Sequence, residues 1–155
     1  MLRSIDLPMN TSIATLLDGK GRALHAVPVT VTVYEAVVAM NQHRIGAMLV
    51  MDGAKLAGIF TERDVLTRVI SASLDPKVTP VSQVMSSNVL TIAPEATVQQ
   101  VMDIFAEKHC RHLPVIQGDK LVGLISIGDV SRWVANAHRA EAESLRQYIA
   151  GGLSN

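Results

Sequence analysis

The sequence predicts an α+β protein of two tandem β-α-β-β-α repeats, packed face to face with pseudo-twofold symmetry and followed by a long C-terminal helix. The first observation is a duplicated segment: Gly58–Val65 returns as Gly123–Val130, 65 residues later. The second observation is that both copies are typical of a buried strand that leads directly into a helix. The third observation is a polar pair at that junction, a hydroxyl residue followed three positions later by Asp. A three-stranded sheet with helices on one face leaves its other face bare, so two copies can bury those faces together.

The duplication extends well beyond this segment. When residues 29–67 are aligned without gaps to the region 65 residues later, the identical positions fall at helix caps, core positions, turns and the duplicated segment itself. These are the positions that define a fold. The identical pairs are Thr32/Thr97, Val33/Val98, Val50/Val115, Gly53/Gly118, Lys55/Lys120, Leu56/Leu121, Gly58/Gly123, Asp64/Asp129 and Val65/Val130.

A lead-in precedes the first repeat. We expect a short helix through residues 13–17, capped by Thr11 or Ser12 and ended by Asp18-Gly19. Gly19-Lys20-Gly21 lacks the third glycine of a dinucleotide fingerprint and the GKS/T end of a P-loop. We interpret it as a flexible turn from which Lys20 can still reach a ligand.

Each repeat shows the same order of elements. In the first, we expect a strand at 25–27, a helix from the capping pair Thr32/Glu35 to about residue 43, strands at 46–51 and 56–60 around Asp52-Gly53, and a helix from Thr61 carrying Val65, Leu66, Val69 and Ile70. In the second, we expect a strand at 89–92, a helix from Thr97/Gln100, strands at 113–116 and 121–125 around Gly118-Asp119, and a helix from about 127 to 149.

Turn-forming residues separate the repeats and set the expected boundaries. Asp75-Pro76 and Thr79-Pro80 stop the preceding helix, and one helical turn can follow at 81–85. We place the lead-in at 1–19, the first repeat at 20–72, a linker at 73–84, the second repeat at 85–135, and the helix extension and tail at 136–155.

Composition narrows the class of protein. The 155 residues are 48% hydrophobic and 18% charged, which suits a folded core, and 14 basic residues balance 14 acidic ones. Zero net charge and 3% aromatic residues argue against nucleic-acid binding. The one cysteine, Cys110, fits a reducing compartment. We find no secretory signal pattern and no apolar run near the roughly 18–20 residues of a membrane span. We therefore expect a cytoplasmic protein without membrane contact.

The duplicated junction has chemistry suited to a nucleotide. The first N–H groups of a helix lack internal partners and attract anions such as phosphate. Thr61 or Ser126 can donate a hydroxyl to a phosphate oxygen, and Asp64 or Asp129 lies one turn later on the same face. A carboxylate repels phosphate but suits the paired hydroxyls of a ribose. The alternative is that each pair is only a capping box.

These segments resemble the cystathionine-β-synthase (CBS) domain pair, also called a Bateman module. The resemblance rests on Gly58…Thr61…Asp64, on Gly123…Ser126…Asp129, and on Arg111–Val115 followed by Lys120–Gly123, and it covers about residues 20–135. It implies a regulatory module that binds adenine nucleotides in two clefts between the repeats. We expect AMP first, with ADP, ATP or NAD as alternatives, and no metal.

The resemblance also implies roles for individual residues. Asp64 and Asp129 would hold the ribose, and Thr61 and Ser126 would contact phosphate. The apolar base pockets would use Ile45, Ile59, Cys110 and Leu124.

The two clefts cannot be equivalent. Arg111 and His112 precede a strand where the family often brings basic groups to phosphates, and a guanidinium suits phosphate oxygens. The first repeat has Gly46 and Ala47 at these positions, and Arg63 replaces the second repeat's Gly128. We expect the tighter site at Ser126 and Asp129. For Arg111 and His112, a solvated pair at the strand entrance is the alternative.

Other functions remain as alternatives. Positive charge at Arg63 and Arg68 would suit a dinucleotide such as NAD(H), and clefts without ligand would make the protein a scaffold. We expect no catalysis, because no nucleophile elbow, Ser-His-Asp order or metal cluster is present. The module would act on a separate effector protein. Apolar residues along 130–149 resemble the terminal helices of CBS-pair homodimers, or they pack across the same chain.

Overall fold

The computed structural model describes residues 9–21 and 23–152. The first eight residues of the expected lead-in and the last three of the expected tail lie outside these ranges. Residues 23–90 form one compact unit, and the described residues before and after that stretch form the other. We name them the first and second unit, after the repeat that each contains.

The first unit is a three-stranded sheet with helices. Strand β1 (Ala26–Pro28) pairs in parallel with β2 (Ala47–Asp52), which pairs antiparallel with β3 (Lys55–Thr61). Helix α2 (Val33–His43) connects β1 to β2, α3 (Glu62–Asp64) follows β3, and α4 (Val81–Val84) follows later. Core side chains from these elements are fully buried, among them Val33, Met48, Val50 and Phe60.

The second unit repeats this design around a two-stranded sheet. Strands β4 (His112–Gln117) and β5 (Lys120–Ser126) pair antiparallel between α5 (Val98–Lys108) and α6 (Ile127–Gly152). Both hairpins carry the same irregularity, a register shift at Val50/Met51 and at Val115/Ile116. The predicted α+β class with tandem repeats and a long C-terminal helix is confirmed.

Both predicted capping boxes are present. The Thr32 hydroxyl accepts from the Glu35 N–H at 3.2 Å, while the Glu35 carboxylate accepts from the Thr32 N–H at 2.8 Å. Thr97 and Gln100 make the same exchange at 3.2 and 2.9 Å. Each exchange satisfies donors that a helix start would otherwise leave unpaired, which explains why α2 and α5 begin where the sequence predicts.

Three sequence-based expectations are wrong in detail. The strand at 89–92 is reduced to a single parallel bridge between Ile92 and Val115. The first helix, α1 (Ile13–Lys20), continues through Asp18-Gly19 and ends at Gly21, whose φ of 91° suits glycine, so Lys20 lies on a helix and not in a turn. The helix after Thr61 changes at Val65–Ile70 to π geometry.

The π segment also changes which side chains are buried. The Ser71 N–H donates to the Leu66 carbonyl at 3.1 Å, an i+5 bond that widens the turn. Val69 is fully buried, whereas Leu66 and Ile70 are 64% and 62% exposed. Only part of the expected apolar set therefore enters the core.

The segment before the first repeat packs into the second unit. Ile13, Leu16 and Leu17 of α1 belong to the core that contains Leu113 and Ile125. At the 65-residue shift, α1 corresponds to the region of α4, whose Val81 and Val84 join the core of the first unit. This placement brings Lys20 to the second unit's strand-to-helix turn.

The glycine that opens each duplicated segment permits a close approach. A Cβ on Gly58 would lie 2.6 Å from the Ser86 carbonyl oxygen and 2.7 Å from the Met85 sulfur. A Cβ on Gly123 would lie 2.5 Å from a Leu17 methyl carbon. A larger residue would therefore meet a backbone carbonyl at Gly58, where packing requires glycine, and the end of a side chain at Gly123, where the neighbour can give way.

Candidate functional site

The polar pair of each duplicated segment forms a capping box. In the first unit, the Asp64 carboxylate accepts from the Thr61 N–H at 2.9 Å and from the Thr61 hydroxyl at 3.2 Å, while the Asp64 N–H donates to that hydroxyl at 3.4 Å. In the second, the Asp129 carboxylate accepts from the Ser126 N–H at 2.9 Å, and the Asp129 N–H donates to the Ser126 hydroxyl at 3.1 Å. Capping is thus a structural role of all four residues, which any ligand would have to share.

The first N–H of each helix is also occupied. The Glu62 N–H donates to the Gly46 carbonyl at 3.1 Å, and the Ile127 N–H donates to the Arg111 carbonyl at 2.9 Å. Two of the first three helix N–H groups are therefore committed to protein acceptors at each turn. A bound anion would need charged side chains as well as the helix end.

Two cations meet the carboxylate of Asp129. The Lys20 ammonium lies 2.6 Å from Oδ2 and also donates to the Leu124 carbonyl at 2.7 Å. Arg132 donates to Oδ1 at 2.7 Å. Burial raises the pKa of Asp129, but hydrogen bonds from Lys20 and Ser126 more than offset this, so that its pKa lies below the usual value. The turn therefore holds one ionised carboxylate and two basic side chains.

The equivalent turn of the first unit is assembled differently. Asp64 is buried, and Arg68 approaches its Oδ1 only to 3.6 Å. The same guanidinium donates to the carbonyl oxygens of Val84 and Met85 at 3.2 and 2.9 Å. Met85 occupies the position that corresponds to Lys20 at the 65-residue shift, so this turn lacks the lysine. Arg68 is committed to backbone acceptors.

The entrance to the helix adds a further charge difference. In the first unit the Glu62 carboxylate lies against Gly46, with carboxylate atoms 3.2–3.4 Å from where a Cβ would stand. The second unit has Ile127 and Arg111 at the corresponding positions. The first turn therefore has the carboxylate of Glu62 where the second has the apolar Ile127. It also has Gly46 where the second has the positive charge of Arg111.

The remaining predicted site residues lie near these turns with different exposures. Ala47 pairs with Thr61, and His112 pairs with Ser126, at equivalent points of the two hairpins. Ile45, Gly46, His112 and Leu124 are half-buried, Ala47 is buried, and Arg63 and Arg111 are exposed. The second unit therefore places Lys20, Leu124, Ser126 and Asp129 in one hydrogen-bonded group, with His112 beside Ser126.

Cys110 is half-buried against the core of the second unit. Burial raises the pKa of its thiol above the usual value. A raised pKa disfavours the thiolate that a nucleophile needs. This agrees with the interpretation of Cys110 as a pocket or core residue.

Sequence reasoning missed Arg132, Glu62 and the partner of Lys20. Arg132 follows Asp129 by three residues on a helix, a spacing that brings opposite charges together and could have been recognised. The Lys20–Asp129 pair joins residues separated by 109 positions, and no local pattern reports such a contact. Within residues 9–21 and 23–152, no cluster of three or more His, Cys, Asp or Glu residues could hold a metal ion. The same residues include no helix with the length and apolarity to span a bilayer.

The duplicated fold and its two capped turns define a tandem module of small α+β repeats. The chain belongs to the CBS domain family, whose model matches residues 20–71 and 81–136. The CBS domain-containing protein CBSX3, mitochondrial, of Arabidopsis thaliana is 36% identical over 152 residues, 92% of this chain and 74% of the relative.

Solved structures show the same fold. A putative signal-transduction protein with CBS domains from Burkholderia ambifaria is 38% identical, with a TM-score of 0.77 over 80% of this chain and 93% of that protein. The CBS domain protein PAE2072 from Pyrobaculum aerophilum, complexed with AMP, is 24% identical, with a TM-score of 0.69 over 77% of this chain and 89% of that one.

Proposed function

We propose that the protein is a regulatory module that binds an adenine nucleotide, AMP first among the candidates, at the strand-to-helix turn of the second unit. The observation that carries the proposal is the basic group around Asp129, in which Lys20 and Arg132 approach one carboxylate at 2.6 and 2.7 Å. Membership of the CBS family and the AMP complex of the Pyrobaculum protein support an adenosyl ligand.

The ribose hydroxyls would bind the Asp129 carboxylate. Two ionised oxygens offer about four acceptor positions, and Ser126, Lys20 and Arg132 use three of them. Arg132 is 71% exposed, so its displacement by a ligand costs little. Lys20 and Arg132 would then turn toward the phosphate, where charge-assisted hydrogen bonds are strong.

Phosphate would also be bound by Arg111 and His112. Arg111 immediately precedes β4 and His112 is its first residue, beside the turn that contains Ser126. The adenine ring would contact half-buried apolar groups of the second unit, Leu124 and Cys110. In the first unit, Ile45, Ile59, Thr61 and Asp64 would form a weaker site, since Glu62 repels phosphate there.

The regulatory output would begin at α1. Lys20 is the last residue of that helix, and its ammonium fastens the helix end to Asp129 and Leu124. A ligand that takes over Asp129 changes this attachment, and differential affinity for the two arrangements provides the coupling to a partner protein. A homodimer in the cytoplasm suits this role, and the single cysteine is compatible with a reducing compartment.

Calorimetric titration with AMP, ADP, ATP, NAD and adenosine tests the proposal. We expect a saturable signal for AMP, and mass analysis of ligand released from the purified protein to identify an adenine compound. GMP is the matched control for the base. Tighter binding of NAD would favour the dinucleotide alternative, although Arg68 is already committed to Val84 and Met85. No binding of any adenine compound would overturn the proposal and favour a scaffold.

A further inference from the structure

The aspartate of the second turn has little capacity left to accept a ligand. Oδ2 of Asp129 accepts from the Ser126 N–H at 2.9 Å and from the Lys20 ammonium at 2.6 Å. Oδ1 accepts from Arg132 at 2.7 Å. The hydroxyls of a ribose would therefore have to displace a cation. A phosphorylated ligand offers the displaced cation a new acceptor, whereas an unphosphorylated nucleoside leaves it without one. This turn consequently favours the phosphorylated form.

The aspartate of the first turn is buried but keeps one carboxylate oxygen available. Oδ2 of Asp64 accepts from the N–H and the hydroxyl of Thr61. Oδ1 accepts no hydrogen bond from the residues that the structure describes, and Nε of Arg68 lies 3.6 Å from it. The guanidinium of Arg68 donates to the carbonyl oxygens of Val84 and Met85. Ribose hydroxyls could therefore bind Oδ1 of Asp64 without displacing a cation.

An unpaired carboxylate lies beside the position that a phosphate would take in the first turn. Glu62 directly follows Thr61, the residue expected to contact phosphate, and its carboxylate atoms lie 3.2–3.4 Å from where a Cβ on Gly46 would stand. Among the described residues, no hydrogen bond or ion pair engages this carboxylate, and Glu62 is exposed. Arg63 is exposed as well, but successive residues of a helix point about 100° apart, so it lies on a different face.

We propose that the two turns select opposite ligands and that Glu62 determines the choice. The first turn binds an adenine nucleoside whose 5′ group carries no negative charge, and the second turn binds the phosphorylated form. A repulsive charge against one ligand produces specificity as effectively as an attractive contact to the other. The inference rests on the proposed function, because it assumes that Asp64 and Asp129 bind ribose. Occupancy of the two turns would then report the ratio of unphosphorylated to phosphorylated nucleoside.

Three ligands that differ in charge at the 5′ position test this selection. AMP is anionic there, adenosine is neutral and 5′-amino-5′-deoxyadenosine is cationic. In calorimetric titrations of the Asp129→Ala variant, which retains the first turn, we expect adenosine to bind at least about fivefold more tightly than AMP, and the cationic ligand more tightly still. In the Asp64→Ala variant, which retains the second turn, the order should be reversed. The same order in both variants would overturn the proposal.

The role of Glu62 is tested in the Asp129→Ala background. Glu62→Gln keeps the shape of the side chain and removes its charge, so that AMP affinity should rise about fivefold while adenosine affinity stays within about twofold. Because salt screens exposed charges, the gain should be smaller at high ionic strength. Glu107→Gln, at an exposed position of α5 in the other unit, is the charge-matched control. Equal changes for AMP and adenosine would mean that Glu62 acts on the fold and not on ligand choice.

The reciprocal change places the carboxylate in the second turn. Ile127 corresponds to Glu62 and is 46% exposed, so a glutamate can be accommodated there. In the Asp64→Ala background, Ile127→Glu should lower AMP affinity about fivefold and leave adenosine affinity within about twofold. An unchanged AMP affinity would show that this position does not lie beside the phosphate, and would contradict the proposal.

The outcomes separate this proposal from the function on which it rests. If none of the three ligands binds the native protein, the proposed function fails. If AMP binds at the second turn and is also preferred over adenosine at the first, the proposed function stands and the opposite selection is wrong. Circular dichroism checks the fold of each variant. If Asp129→Ala does not fold, titration of the AMP-saturated native protein with adenosine makes the same comparison, and the absence of a second binding event would overturn the proposal.

Discussion

The two strand-to-helix turns have the same backbone design and different charges. Each begins with a strand glycine and closes with a hydroxyl–Asp capping box. The Asp129 carboxylate contacts Lys20 and Arg132. Among the residues that the structure describes, Asp64 has only the more distant Arg68, and Glu62 adds a negative charge nearby. Duplication therefore conserved the cap that the fold requires, while the surroundings diverged. A cap shows how a helix starts, and the surroundings indicate which turn attracts an anion.

The largest expected difference between the turns is in packing. Gly58→Ala should lower the free energy of unfolding by about 3 kcal/mol, because the new methyl group meets the Ser86 backbone carbonyl, which cannot move without breaking its bridge to Ile59. Gly123→Ala should cost about 1 kcal/mol, because the end of Leu17 can rotate away. Urea denaturation measures both. Gly19→Ala, in α1 with open space around it, is the control expected to be neutral or stabilising. Equal losses at the two motif glycines would contradict the distinction.

The next difference is in phosphate binding. Lys20→Met gives the second turn the residue that the first has at Met85. We expect AMP affinity to fall about fivefold, because a charge-assisted contact to phosphate is lost. The affinity for adenosine should rise about twofold, because adenosine has no phosphate and its ribose competes with Lys20 for the Asp129 carboxylate. Calorimetry measures both, and Lys120→Met, at the exposed start of β5, is the charge-matched control. A parallel loss for AMP and adenosine would show that Lys20 acts only on the fold.

The smallest expected difference is in acid stability. The pKa of Asp129 lies below its usual value in the folded protein, so its ionised form stabilises the fold above the unfolded pKa of about 3.9. This contribution is lost as the pH falls through the lower folded pKa. The Asp129→Asn variant lacks this stabilising contribution at every pH.

The unfolding free energies of the native protein and of Asp129→Asn should therefore differ by at most about 1 kcal/mol near neutral pH, since Lys20 is partly exposed. The difference should shrink as the pH falls below the unfolded pKa of about 3.9 and through the lower folded pKa. A difference that grows on acidification would mean that the carboxylate is not stabilised in its charged form.

Local patterns predicted most of the fold. Thr32 with Glu35 and Thr97 with Gln100 marked two helix starts, because the capping box depends on residues three positions apart. The 65-residue repeat located the hairpins. The prediction of a strand at 89–92 was wrong, because a strand needs a neighbouring strand along its length. Of these residues only Ile92 forms a bridge, to Val115.

The site was less predictable than the fold. The hydroxyl–Asp pairs were visible in the sequence, and the structure confirms that they cap helices. The chain gives no local sign that α1 packs into the second unit, so the partner of Lys20 could not be found. The π geometry at Val65–Ile70 likewise depends on surrounding contacts, and the exposure of Leu66 and Ile70 did not follow from apolar spacing.

The most direct test of the proposed site compares two matched substitutions. Calorimetric titration with AMP should show that Asp129→Ala weakens binding at least about tenfold, as expected for a lost charged hydrogen-bond partner, while Asp64→Ala leaves the tighter binding step within about twofold of the native value. Circular dichroism on the same samples checks that both variants remain folded. Equal losses in the two variants, or a larger loss in Asp64→Ala, would contradict the claim that the second turn is the principal nucleotide site.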